Sequence, residues 1–280
     1  MTENNWDQVI QPRNKWYEIN LKEVWDYKDL IFIFVKRDIV SIYKQTILGP
    51  IWFFLAPIFT VVIYTFVFSG IANISTDEIP APLFYLAGTT MWNYFQTSFL
   101  GTASTFVSNA SIFGKVYFPR LVSPISLIIS NLVKFAIQIA MFMCFWAYYY
   151  AKGEIHPNSY MLLFPLLIIL MGGISLGTGI IISSLTTKYR DLTYLVTFGI
   201  TLLMYATPVI YPASAIPELY KPLVMYNPIA PIIETFRYGF TGAGIFTWGG
   251  IIYSSSFMLV ILFFGVIIFN KVEKSFMDTV

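Results

Sequence analysis

Two residue types that build most metal and disulfide sites are nearly missing: 280 residues contain one cysteine, Cys144, and one histidine, His156. A lone thiol excludes an internal disulfide, and the two together cannot supply the three or four protein ligands of a zinc site. Charge is scarce too. Only 11% of residues are Asp, Glu, Lys or Arg, against about a quarter in soluble domains, while 57% are hydrophobic. Such a chain has too little polar surface to face water on all sides. It also lacks an enzyme's groups at a membrane border, having no paired carboxylates and no nucleophile with its base. Asp77 and Glu78 are neighbours in sequence and point apart on either a strand or a helix. No Asp or Glu falls within the long apolar stretches, which speaks against the buried acid of an ion-coupled transporter.

Long apolar runs are what the chain does have. Windows free of charge cover 45–76, 79–114, 155–187, 192–217 and 238–270, and 121–151 is interrupted only by Lys134. About 20 apolar residues span a bilayer as a helix, so each window holds one crossing. The pattern predicts an all-α integral membrane protein with six transmembrane helices, near 48–70, 83–106, 122–149, 160–183, 192–211 and 249–269. The fifth is the weakest, because Pro208 and Pro212 limit it.

Cations sort to alternate connections. Arg13, Lys15, Lys22, Lys28, Lys36, Arg37 and Lys44 precede the first crossing; Lys115 and Arg120, then Lys188 and Arg190, then Lys271 and Lys274 lie on the same side. The opposite side has only Lys152, Lys221 and Arg237. Since short cytoplasmic loops retain Lys and Arg, both termini are expected in the cytoplasm of a multi-pass protein. The net charge of +2 is then a topology signal and carries no expectation of nucleic-acid binding. The first thirty residues lack the short apolar core and cleavage site of a signal peptide, so the first crossing is expected to direct insertion.

Residues 1–47 read as a cytoplasmic segment ending in a helix that lies in the membrane interface, with Trp25 and Tyr27 at headgroup level. Residues 48–270 form the transmembrane domain, and 271–280 a cytoplasmic tail. Six prolines from Pro208 to Pro231 break the chain after the fifth crossing, yet the segment is too apolar for a free loop. Short helices re-entering the outer leaflet over 213–247 reconcile the two facts. There Glu234 and Arg237, three apart, can pair on one helix face. In the third crossing Ser126, Ser130, Lys134 and Gln138 follow at steps of four with Asn131 beside them, one polar stripe. Lys134 lies roughly 20 Å from Arg120 along that helix, where it either faces a water-filled path or is held by its polar neighbours. Gly173 and Gly177 form a small-xxx-small pair that lets another helix approach.

The segment SIFGKVYFPR (111–120) contains the Gly-Lys pair of a phosphate loop, but Asn109 stands at the first glycine position and Val116 follows the lysine. Without the leading Gly and the Ser or Thr that holds magnesium, it is not an ATP site. No other segment is one, and no cofactor is expected on this chain.

Taken together, KRDIVSIYKQTILGPIWFFLAPIFTVVIYTFVFSGI (36–71), NASIFGKVYFPR (109–120), KYRDL (188–192), YNPIAPIIETFRYGF (226–240) and the tail VEKSFMDTV resemble the membrane permease subunits of ABC-2 type exporters for O-antigen, capsular polysaccharide and teichoic acid. In the first of these, Arg37, Asp38, Tyr43, Leu48, Gly49, Trp52 and Pro57 stand at matching positions. Ile42 departs from the family, in which an Arg often precedes the tyrosine. The resemblance implies an ABC-2, type V exporter-like fold, a homodimer in the bacterial inner membrane, and two copies of a separate subunit that binds ATP and Mg2+ and performs the hydrolysis. It implies that 111–120 is the coupling element, with Ile112, Lys115, Val116, Tyr117, Phe118, Pro119 and Arg120 meeting that ATPase. It further implies a lipid-linked polysaccharide substrate, whose head group Arg37 and Lys44 would contact. Trp52, Phe53, Tyr64, Tyr85, Trp92, Tyr94 and Phe95, with Lys134, are candidates for the conduit, because a ring face can stack on a sugar and still let it slide. Export of teichoic acid, lipid or drug by the same machinery, and a membrane scaffold without transport, are the alternative readings.

Overall fold

The computed structural model describes residues 21–44, 51–186, 189 and 191–276. The lead-in 1–20, the matching positions Leu48 and Gly49, the loop cations Lys188 and Arg190, and the last four residues fall outside these. Among the described residues every regular element is helical.

Helices α1 (Leu21–Asp26) and α2 (Lys28–Lys44) come first. Helix α3 (Trp52–Tyr64) runs directly into a π-helical stretch, Thr65–Ile71, which contains the Ser69–Gly70 pair where a regular helix is readily deformed. Helix α4 (Ala81–Ala103) starts with Pro82 in its first turn, where proline's missing N–H is harmless. Two single-turn helices follow, α5 (Thr105–Ser108) and α6 (Ala110–Phe113), and then α7 (Val122–Ala151). Gly153, with φ of 72°, closes α7 in the left-handed conformation. Helix α8 (Phe164–Thr186) is preceded by a 3-10 turn at Ser159–Leu163, and α9 covers Leu192–Tyr205. Two short helices, α10 (Lys221–Met225) and α11 (Ala230–Thr241), lead to α12 (Trp248–Phe276).

Four of these stretches are long and apolar enough to cross a membrane: Trp52–Ile71, Val122–Ala151, Ser159–Thr186 and Trp248–Lys271. The protein is therefore a multi-pass, all-α membrane protein. Helix α4 is also long enough, since 23 residues rise about 34 Å, but it is more polar because it occupies the centre of the bundle. Ten successive residues from Leu83 to Trp92 are buried, packed against α3, α7, α8, α9 and α11. There a Thr or Ser finds protein rather than lipid: Thr89 Oγ1 donates to Tyr85 O at 2.7 Å. Helix α9 departs from the expected 192–211. Its 14 residues rise only about 21 Å, and it stops at Tyr205 because Pro208 disfavours helical geometry just before it.

Helices α8 and α12 make the closest contact. A side chain on Gly177 would come within 3.0 Å of the backbone of Ile261 and Leu262, so the small residues of α8 let the two backbones meet, as in other membrane bundles. The main core joins α4, α7, α8 and α11, and a second cluster of buried apolar residues joins α2, the 113–122 segment, α8 and α12.

Candidate functional site

The segment 111–120 is one helical turn, α6, followed by an irregular stretch that leads into α7. Its side chains divide into two sets. Val116 (59% exposed) and Tyr117 (54% exposed) stand free, and Lys115 is exposed beside them, whereas Phe118 is only 4% exposed and Pro119 is buried. Expecting Phe118 to be a surface anchor is thus a misreading of an apolar loop: its ring lies edge-on to Phe34 of α2 at 5.6 Å and tilted against Phe113 at 5.5 Å. The ring series continues from Phe113 to Phe106 at 6.0 Å and from Phe106 to Phe269 of α12 at 4.6 Å. Five phenylalanines therefore link α2, the loop and the last helix. The Arg120 guanidinium sits over Phe113 at 5.6 Å, and Ile112 packs at the edge of the same cluster. Asn109 bridges the two flanking helices, its side-chain amide donating to Thr105 O and to Ser123 Oγ, both at 3.0 Å. The exposed turn encloses a cleft of about 210 Å³ between Phe113 and Arg120.

One turn further along the same face of α2 lies the polar stripe of α7. Arg37 donates to Asp38 Oδ1 at 2.9 and 2.8 Å and covers Phe34 at 4.7 Å. Ser130 Oγ donates to the second carboxylate oxygen of Asp38 at 3.4 Å. Lys134 Nζ donates to Asn131 Oδ1 at 2.9 Å, and the Asn131 amide donates to Ser98 Oγ of α4 at 3.3 Å. Of the two roles open to Lys134, the one held by neighbours has direct contacts. Arg37 and Lys44 stand seven residues apart, two turns along one helix face, and both are exposed.

The conduit candidates separate in the same way. Trp52 is exposed and Phe53 half-buried on the outer face of α3. Tyr64 is half-buried and edge-on to Phe68 at 5.2 Å and to Tyr85 at 6.0 Å. Tyr85, Trp92, Tyr94 and Phe95 are buried inside the protomer and so line no open path here. Helical spacing alone could not distinguish them, because α4 is buried on every side from Leu83 to Trp92. Trp92 Nε1 donates to Gln96 Oε1 at 3.1 Å, and Tyr94 packs on Phe135 at 4.9 Å.

A charged hub occupies the opposite end of the bundle. Arg237 (1% exposed) pairs with Glu234 at 3.1 Å. One Arg237 nitrogen donates to Pro208 O at 2.6 Å and another to Val209 O. Its guanidinium lies over Phe84 at 3.8 Å and against Gly88, where a side chain would collide with it. The second Glu234 oxygen accepts from Ile245 N at 3.2 Å. The sequence showed the i, i+3 pair but gave no sign of the two carbonyls, which lie nearly thirty residues away. The ring series from Phe34 to Phe269 was equally invisible, since only Phe113 and Phe118 share a motif.

The profile of the ABC-2 type transporter family matches residues 29–241, from α2 to the end of α11. The chain belongs to this family. The O-antigen export system permease protein RfbA of Klebsiella pneumoniae is 30% identical over 251 residues, covering 89% of this chain and 94% of that one. A protein of the same name from Myxococcus xanthus is 28% identical, over 78% of this chain and 82% of its own length. The polysialic acid transport protein KpsM of Escherichia coli is 23% identical, over 87% and 93%. The loop, the polar stripe and the charged hub of this ABC-2 chain all lie within the matched span, while Phe269 lies beyond it.

Proposed function

We propose that the chain is the permease subunit of an ATP-driven exporter of lipid-linked polysaccharide such as O-antigen. The observation that carries this reading is its similarity, along nearly the whole length, to O-antigen export permeases. In this reading α3, α4, α7, α8, α9 and α12 make six crossings in the inner membrane with both termini cytoplasmic, and α9 is completed by the proline-rich turn after it. Two copies form the path between them. The exposed faces of α3 and α9, which bury only Pro57 and Val61, and only Ile200, are the surfaces left for such a partner.

Two copies of an ATP-binding subunit, carrying ATP and Mg2+, dock on the cytoplasmic side. Lys115, Val116 and Tyr117 supply the exposed contact, with the Tyr117 ring as its anchor, a residue type enriched at protein interfaces. Phe118, Phe113 and Phe106 behind it carry any displacement to α2 and α12. Arg37 and Lys44 meet the pyrophosphate of the carrier, and Trp52 and Phe53 offer ring faces to the sugar.

Co-expression with an ATPase encoded beside it and purification through a tag on this chain tests the reading. The two proteins are expected to elute together in equal amounts, and elution of the chain alone would count against it.

A further inference from the structure

A groove of about 360 Å³ runs between α3 with its π-helical end and the facing sides of α4 and α7, lined by Val61, Val62, Thr65, Phe66, Leu86 and Phe145 among others. Every lining side chain but one is wholly apolar. The exception is Thr65, whose hydroxyl is buried and has no hydrogen-bond partner. Thr60 and Thr89 return their hydroxyls to the preceding turn, to Ala56 O at 2.9 Å and Tyr85 O at 2.7 Å; Thr90 and Thr102 of α4 have unpartnered hydroxyls too, but neither lines this groove. Thr65 opens the π-helical stretch and makes no such return bond. An unpaired buried hydroxyl costs roughly 1–3 kcal/mol, so the position favours something that brings an acceptor into the groove.

The surroundings limit what that can be. The groove is flanked by two membrane-crossing stretches, Trp52–Ile71 and Val122–Ala151, so it opens to hydrocarbon, and the molecules at hand are lipids. Helix α3 is itself barely attached, burying only Pro57 and Val61, which leaves a gap in the packing behind it. We propose that the groove is a binding site for one chain of an ester-linked phospholipid, with an ester carbonyl accepting from the Thr65 hydroxyl and the alkyl chain completing the packing of α3 on α4 and α7. An isoprenoid chain would fill the same volume but brings no carbonyl. The site goes beyond the export function, and it rests on the groove staying open to lipid when the exposed face of α3 meets a second copy.

The test is native mass spectrometry and lipid extraction on the full chain purified in mild detergent, counting phospholipid and polyprenyl phosphate retained per chain. Wild-type protein is expected to keep about one phospholipid. Thr65→Val, which removes the hydroxyl and keeps the shape, should lower retention roughly three- to tenfold, the worth of one hydrogen bond. Val62→Trp, at a position 58% exposed and thus tolerant of bulk, should abolish it by filling the groove. Unchanged retention in both variants overturns the proposal. So does retention of polyprenyl phosphate in place of phospholipid, or a loss of dimer with no loss of lipid, which would make the groove a protein interface.

Discussion

Arg237 joins three pieces of chain: α11, the turn at Pro208–Val209, and the α4 face at Phe84 and Gly88. Its charge is matched by Glu234 and its two terminal nitrogens by carbonyls in the turn after α9, while its buried Nε has no partner among the described residues. Removing one member of a buried pair strands the other, at a cost of about 3–5 kcal/mol. Arg237→Ala is accordingly expected to lower the amount of folded protein in the membrane and its thermal midpoint in detergent. Arg237→Lys should not restore either, because a point charge cannot serve two carbonyls and a carboxylate in one plane. On the other side of the bundle Arg37 and Lys44 are exposed, and the Arg37 pairing with Asp38 is a surface one worth at most about 1 kcal/mol. The double substitution Arg37→Ala with Lys44→Ala is predicted to leave abundance unchanged and to reduce export, read as surface polysaccharide per unit of permease. Full export by that variant would remove both residues from head-group recognition.

Between residues and the whole stand the helices and the loop that joins them. The 111–120 segment has an outer face and an inner face, and the two should fail differently. Val116→Ala with Tyr117→Ala removes exposed contact and should weaken association with the ATPase by about tenfold, measured by pull-down. Phe118→Leu keeps the volume but loses ring contacts with Phe34 and Phe113 worth roughly 0.5–1.5 kcal/mol each. That variant is expected to bind the ATPase normally and hydrolyse ATP with less export per ATP. Much at this scale was legible in the sequence. Charge-free windows locate α4, α7 and α8 to within a few residues, since bilayer thickness dictates their length, and the start of α12 to within one, although α12 continues seven residues past the expected 269. What escaped was context. Phe118 looks like Tyr117 in a string of letters, and only the position of α2, brought back from eighty residues upstream, buries one and leaves the other free. The same holds for Trp92 and Trp52, identical in type and opposite in exposure because α4 is central and α3 peripheral.

For the whole molecule, polarity is arranged from end to end: an aromatic cluster tied to an exposed cationic turn at one end, a fully buried ion pair at the other, and α3 and α9 left largely uncovered along the side. Family membership follows from the match over 29–241. Subunit count and orientation are expectations that rest on resemblance and cation asymmetry, because one chain shows neither a second copy nor a membrane. The most direct measurement is ATP hydrolysis by the reconstituted complex with and without carrier-linked glycan on the cytoplasmic side. The account predicts that glycan on its lipid carrier raises the rate and that the glycan reaches the opposite side in step with ATP consumed. A rate indifferent to the glycan, with no transfer across the bilayer, would contradict it.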